Sequence, residues 1–267
     1  MEVGVIGTGH WGGNLVRNLA KLEVLAGVAD PSETNRSRAV KDAPGIETFA
    51  DAADLLGAGY DAVAIATPAP THFGIARQAL GAGMDVFVEK PMTLDPQEAS
   101  TLHQQALEQE RILMVGHLLL YQPAIEFIAD YLRKGRLGQV YTMHQRRSKL
   151  GRVRDKENVM WSFGVHDVAV LLFLAGEAPS RVVASGHAAF TPGVEDDTYL
   201  HLDFANGVKA HLHNSWLWPR VERERAPVDH ALWRHLLERR AGARLLDDWM
   251  RYHALLANWQ DDCECSL

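Results

Sequence analysis

The stretch Val3-Gly4-Val5-Ile6-Gly7-Thr8-Gly9-His10-Trp11-Gly12 decides the fold. A short apolar run reads as a strand, a glycine-rich turn follows, and Leu15, Leu19 and Leu22 then recur at helical spacing. In such a turn the first glycine permits a tight bend and the second lets backbone approach a pyrophosphate. The third lets helix pack closely on strand, while the helix N-terminus directs its N–H groups at the anion. The same glycine pattern occurs in turns that hold no ligand, so context has to separate the two. Here a strand precedes it, a helix follows, and Asp30 closes the next strand candidate, Val24–Ala29, where an acid bonds the adenosine ribose hydroxyls. Pro31 follows Asp30 with no Arg directly after, which favours NAD over NADP, although Arg36 and Arg38 leave NADP open. Gly7, Thr8, Gly9, His10, Trp11, Gly12 and Asp30 are therefore the candidate cofactor residues.

Outward from this turn, strand candidates Ala62–Ala66, Val86–Val88 and Ile112–Val115 alternate with helical segments near 33–42, 71–82 and 95–108. Near-continuous apolar strands alternating with helices predict a parallel, doubly wound sheet covered on both faces. Past residue 118 the pattern changes. A helix is expected at 121–134, a strand through 137–147, a loop rich in Arg and Lys, and a helix at 163–175. Alternating strands then follow at 181–190, 197–204 and 207–217. Asn206-Gly207 between two alternating runs is a strong hairpin signal, so this half should hold a mainly antiparallel open sheet with helices on one side. From Arg220 the strand pattern stops in the charge-dense Arg220–Arg225, and Leu245, Trp249, Tyr252, Leu256 and Trp259 suggest helix. The expected division is a Rossmann domain at 1–118, an α+β substrate and oligomerisation domain at 119–219, and an atypical helical tail at 220–267. The fold class is α/β.

With 47% hydrophobic and 23% charged residues, the 267-residue chain has the composition of a globular protein rather than a disordered one. A formal net charge of -7 argues against binding nucleic acid or an anionic membrane through the overall field. The two cysteines, Cys263 and Cys265, make no disulfide framework, and no apolar run is long enough to span a bilayer. With no signal-peptide pattern at the N-terminus, the expected location is cytoplasmic.

Three further motifs fall where ligands gather in open α/β sheets, beyond the carboxyl ends of strands. Ala66-Thr67-Pro68 ends the strand candidate Ala62–Ala66, with His72 shortly after. His72 is either a cofactor contact or simply the start of the next helix. Glu89-Lys90-Pro91 follows Val86–Val88. A lysine there can hydrogen-bond a sugar hydroxyl or act as a base, whereas the bland reading is a proline that stops a strand. Gly164-Val165-His166-Asp167 opens an apolar helix. A histidine suits the proton acceptor of an alcohol oxidation, since loss of hydride requires loss of the hydroxyl proton, but a lone helical histidine also serves structure.

Taken in order, GTGHWG, Asp30, ATPxxxH, EKP and GxHD resemble the Gfo/Idh/MocA family of NAD(P)-dependent sugar and cyclitol oxidoreductases. The resemblance covers residues 1 to about 219. It implies a Rossmann domain followed by an open-sheet substrate domain, a homo-oligomer and no metal. A narrower likeness lies in Val115-Gly116-His117 with Tyr121 and Pro123, in Trp161–Asp167, and in Pro192-Gly193-Val194-Glu195-Asp196. These look like the branch that oxidises the 3-hydroxyl of UDP-linked N-acetylhexosamines or their uronic acids, whose product a partner aminotransferase consumes. Carried over, Lys90 and His166 are the catalytic pair, with His166 as general base and Lys90 orienting and polarising the hydroxyl, or with the roles exchanged. The resemblance also assigns Thr67, Pro68, His72, Glu89 and Lys90 to the cofactor. Many members have an Asp four residues before this His; here that residue is Ser162, and Asp167 is a weaker substitute.

Arg146, Arg147, Lys149, Arg152 and Arg154 cluster before the His166 helix and could clamp a diphosphate, or simply be a solvated face. The candidate substrate residues are His117, Tyr121, Arg147, Lys149, Arg152, Trp161 and Asp167. His201, His211 and His213 read as surface histidines on neighbouring strands, not as a zinc site. Competing readings are a dehydrogenase of a free sugar or inositol, and a dinucleotide-binding protein whose shortened second domain has lost catalysis.

Overall fold

The computed structural model describes residues 1–151, 154 and 157–228. They form two compact units that part between His117 and Leu118. In the first unit β1 (Val3–Ile6), α1 (Gly12–Lys21), β2 (Leu25–Ala29), α2 (Glu33–Asp42), β3 (Glu47–Phe49) and α3 (Ala52–Leu56) are followed by β4 (Ala62–Ile65), α4 (His72–Gly81), β5 (Asp85–Val88), α5 (Pro96–Glu108) and β6 (Leu113–Val115). The sheet order is β3-β2-β1-β4-β5-β6, and every pairing is parallel. Strand order reverses beside β1, which places the ligand crevice at the carboxyl ends of β1 and β4.

The pleat explains why these strands read as unbroken apolar runs. Val5, Val28 and Ala64 face Val16 and Ala39 on one side. Ile6, Ile65, Val86 and Val88 face Leu80 and Leu102 on the other. Helix starts are fixed by side chains that accept from free first-turn N–H groups: Ser32 from Asn35, Asp51 from Ala53, and Asp95 from Gln97 and Glu98. The short pair β3 and α3 is an addition to the expected elements.

In the second unit, α6 (Pro123–Arg133) and β7 (Thr142–Leu150) precede a π-helical turn at Met160–Gly164 that runs into α7 (Val165–Ala175). Four strands follow: β8 (Arg181–His187), β9 (Asp197–Asp203), β10 (Lys209–Ser215) and β11 (Leu217–Val228). Their order is β11-β7-β10-β9-β8; β7 and β10 run parallel and the other pairs antiparallel. The Asn206-Gly207 hairpin forms as expected, with Gly207 at φ +88° and Asn206 Oδ1 accepting from the Val208 N–H at 2.9 Å. Met143, Leu200, Leu202, Ala210 and Leu212 pack on Leu171 of α7.

Three expectations are corrected. The strand expected at 137–147 starts at Thr142, because Gly138 adopts a left-handed conformation (φ +76°) in the preceding turn. The strand also runs on to Leu150, so Lys149 lies on it with Arg146 and Arg147 and not in the following loop. The expected helical tail from Arg220 begins instead as β11, which pairs with β7 from Glu222↔Ser148 to Val228↔Thr142. An outermost strand tolerates charge and proline, and β11 carries Pro219 and Pro227. The remaining tail residues, Leu245, Trp249, Tyr252, Leu256, Trp259, Cys263 and Cys265, lie outside the described residues, as does Arg152. Among the described residues no helix is long and apolar enough to cross a membrane.

Candidate active site

At the carboxyl edge of the first sheet, each glycine of the turn meets a different constraint. Gly7 has φ +86°, and a Cβ there would sit 2.8 Å from the Ala66 backbone. A Cβ on Gly12 would lie 1.8 Å from the Gly7 carbonyl oxygen, so helix and turn touch at that point. A Cβ on Gly9 would meet nothing within 4 Å. Gly9 therefore leaves open the space into which a pyrophosphate would approach, and the turn fits a dinucleotide on its own geometry.

Asp30 is buried at the end of β2 and organises this turn. Its Oδ2 accepts from the Thr8 N–H at 2.8 Å and the Thr8 hydroxyl at 3.2 Å, and its Oδ1 accepts from the Ser32 N–H at 2.9 Å. The Asn35 amide donates to both oxygens at 3.1 and 3.2 Å. Burial acts to raise the Asp30 carboxyl, but the hydrogen bonds from Ser32, Thr8 and Asn35 outweigh it and hold it below the usual range. Arg38 donates to the Thr8 and Gly9 carbonyls, and Arg36 to the Asp30 and Pro31 carbonyls. His10 and Trp11 stand exposed at the rim.

The Trp11 indole N–H donates to Glu89 Oε1 and so ties the glycine turn to the segment after β5. Glu89 is buried, and burial pushes its carboxyl up against the opposing pull of Trp11, the Lys90 N–H and the charges of Lys90 and His72. Gly116 leaves room for it, since a Cβ there would lie 3.0 Å from Oε1. His117 is close enough to Lys90 to feel its charge; burial first, then that charge, push its imidazole below the ordinary value. The first unit thus gathers Lys90, Glu89 and His117. Thr67 follows β4 and accepts a hydrogen bond at its hydroxyl from Thr71 at 2.7 Å, and Pro68 is exposed beside it. His72 opens α4 with its ring buried between the carbonyls of Thr67 and Pro91.

In the second unit His166 lies in the first turn of α7, directly after the π-helical turn that contains Trp161 and Ser162. Such turns are frequent at functional sites. The residue four positions before His166 is Ser162, which is buried and brings no carboxylate. Asp167 is 0% exposed and accepts from Gln145 at 2.7 Å, Asn214 at 2.8 Å and Arg147 at 2.8 Å. This anchor fixes the start of α7 against β7 and β10. Arg147 and Lys149 both lie over the Phe163 ring, 5.9 and 5.5 Å from its centroid.

The basic cluster is split by the strand pleat. Arg147 and Lys149 face α7, whereas Arg146 faces the other way, donating to His213 at 3.3 Å and lying 5.0 Å from the Trp218 ring. Arg154 pairs with Glu157. Tyr121 is 61% exposed in a 3₁₀ turn. Sequence reasoning passed over Gln145, Asn214 and Phe163. Asn214 had a readable signal, being the polar residue on the β10 face that otherwise carries Ala210 and Leu212. In the Pro192–Asp196 segment, Asp196 is buried and accepts from the Trp216 indole and the Ala189 and Phe190 N–H groups, and Glu195 accepts from Asn158 at 2.7 Å. Among the described residues no group of three histidine, cysteine or acidic side chains is placed to hold a metal.

A family model described as the oxidoreductase family with an NAD-binding Rossmann fold matches residues 1–117, and the GFO/IDH/MocA C-terminal domain matches residues 125–230. The second match carries the resemblance past residue 219 and through β11. The chain is 35% identical over 235 residues to UDP-N-acetylglucosamine 3-dehydrogenase of Acidithiobacillus ferrooxidans, covering 87% of this chain and 71% of that protein. A solved structure of that dehydrogenase has a TM-score of 0.75 at 32% identity, covering 84% of this chain and 70% of that one. Inositol 2-dehydrogenase of Corynebacterium glutamicum is 28% identical over 193 residues, and this chain spans 69% of its own length but only 56% of that relative. The glycine turn, the Asp30 anchor and these matches together make the chain a member of the GFO/IDH/MocA family of oxidoreductases, with an NAD-binding Rossmann domain and the family's C-terminal domain.

Proposed function

We propose that the chain catalyses NAD-dependent oxidation of a sugar hydroxyl, with the 3-hydroxyl of a UDP-N-acetylhexosamine as the reacting group. The observation that carries this reading is the shared edge. The open space at Gly9, Asp30 after β2, Thr67 after β4 and Lys90 after β5 all lie beyond the carboxyl ends of one parallel sheet. The identity to a UDP-N-acetylglucosamine 3-dehydrogenase supports the substrate class. Bound NAD supplies the hydride acceptor. The chain supplies proton handling: His166 takes the hydroxyl proton as general base, and Lys90 donates a hydrogen bond that orients and polarises the hydroxyl oxygen. Asp167, held by three donors, keeps the His166 turn in place. Asp30 at the adenosine ribose end favours NAD over NADP, because a 2′-phosphate there would face a carboxylate.

The same reading places Thr8, His10, Trp11, Pro68, His72 and Glu89 around the cofactor, and His117, Tyr121, Arg147, Lys149, Arg152 and Trp161 around the sugar and diphosphate. It puts the protein in the cytoplasm as a homo-oligomer, with the 3-keto product passing to an aminotransferase. The test is NADH absorbance with NAD and a panel of UDP-N-acetylglucosamine, glucose and myo-inositol. Turnover of the UDP-sugar, lost in Lys90→Ala and His166→Ala, is the expected result. Turnover of inositol or glucose alone would replace the substrate class, and NAD binding without any turnover would favour a catalytically impaired protein.

A further inference from the structure

His72 holds both ring nitrogens against backbone carbonyl oxygens, Nδ1 at 2.7 Å from Pro91 and Nε2 at 2.8 Å from Thr67, and the residue is 1% exposed. Carbonyl oxygens only accept, and a neutral imidazole has one N–H. The neutral ring would therefore leave one nitrogen lone pair facing a carbonyl lone pair in a site closed to water, a costly arrangement. An imidazolium donates to both carbonyls. The counter-charge is nearby, since buried Glu89 couples electrostatically to His72 and to Lys90. The two carbonyls also sit at informative places. Thr67 follows β4 and Pro91 follows Lys90 after β5, and these strands are neighbours in the sheet, with Ile65 opposite Val88.

We propose that His72 is a positioning residue, held as an imidazolium that clamps the Thr67 and Pro91 carbonyls and thereby fixes the turn presenting Lys90. The proposal rests on the reading of Lys90 as part of the proton machinery, and it adds a residue that acts through Lys90 without contacting substrate. It also gives the buried Glu89 a role, as the anion that keeps a buried cation acceptable beside Lys90.

The deciding measurement is ¹⁵N NMR of wild-type protein labelled at histidine, without cofactor or substrate, at pH 7.5, with the His72 ring assigned through its nuclear Overhauser contacts. Both ring nitrogens of His72 are expected to carry protons; a bare, pyridine-type nitrogen overturns the proposal. A second arm uses His72→Gln, which keeps one donor and no charge, with NAD and UDP-N-acetylglucosamine as the probe substrate. Loss of the clamp should lower kcat about ten- to a hundredfold while KM for UDP-N-acetylglucosamine stays within about threefold, as expected for misplacement of a catalytic group. An unchanged kcat overturns the positioning role. The NMR arm needs no turnover, so a wild-type protein inactive on the UDP-sugar would sink the substrate reading and still leave His72 decided.

Discussion

Gly9 and Gly12 share one turn, but a methyl group added to each should do opposite things. On Gly9 it enters open space, so Gly9→Ala should keep its stability within about 0.5 kcal/mol. It should nonetheless weaken NAD binding at least about tenfold by filling the approach to the pyrophosphate. On Gly12 it meets the Gly7 carbonyl, and Gly12→Ala should cost about 1–3 kcal/mol or more in urea denaturation through overpacking. Loss of NAD affinity in Gly12→Ala without loss of stability would contradict this division. Asp30 makes a prediction about pH. Its carboxyl is held low in the fold, so the folded state binds that proton less readily than the unfolded chain. The resulting stability is complete above the ordinary carboxylate value and is lost as pH falls through the folded one. Asp30→Asn should therefore flatten the acid limb of stability measured between about pH 3 and 7 and lower the plateau above it. Asp167 is more exacting: Asp167→Asn leaves the largely buried Arg147 without its anion and should cost about 3–5 kcal/mol. Arg147→Met on that background should recover part of the loss.

At the scale of elements, the readable parts are those whose determinants are local. The strand, glycine turn and helix at Val3–Lys21 were legible because each requirement sits within a few residues of the next. In the structure Asp95 caps α5, and Asp95→Ala should destabilise that helix by about 1 kcal/mol, seen as a lower Tm. β3 and α3 escaped because three- and five-residue elements carry no measurable period. β11 was misread for a different reason. A charge-dense run argues against a central strand but suits an outermost one, and that position depends on pairing with β7 far back in the chain. The basic cluster shows the same limit. Adjacency in sequence suggested one anion clamp, while the two-residue period of a strand sends Arg146 and Arg147 to opposite faces. The site anchors were hidden most thoroughly, because Asp167 finds Gln145 and Asn214 at separations of 22 and 47 residues.

For the whole molecule, the two units keep separate cores, and the cofactor residues of the glycine turn belong to the first. NAD at about a hundred times its Kd should stabilise what it binds by about 2.7 kcal/mol. Hydrogen exchange should show that gain in residues 1–117, including β1 and β5. Protection spread evenly over both units would mean that they open as one.

The parallel pairing of β7 with β10 joins residues 67 positions apart, as between Arg146 and His213. No hairpin can make such a pair. On the ribosome, at about 5–20 residues per second, β7 would wait roughly 3–13 seconds for its central partner, and longer still for β11. The Rossmann unit can close in that interval while β7 presents a bare edge. Among the described residues, the second sheet is thus the one that closes last during synthesis.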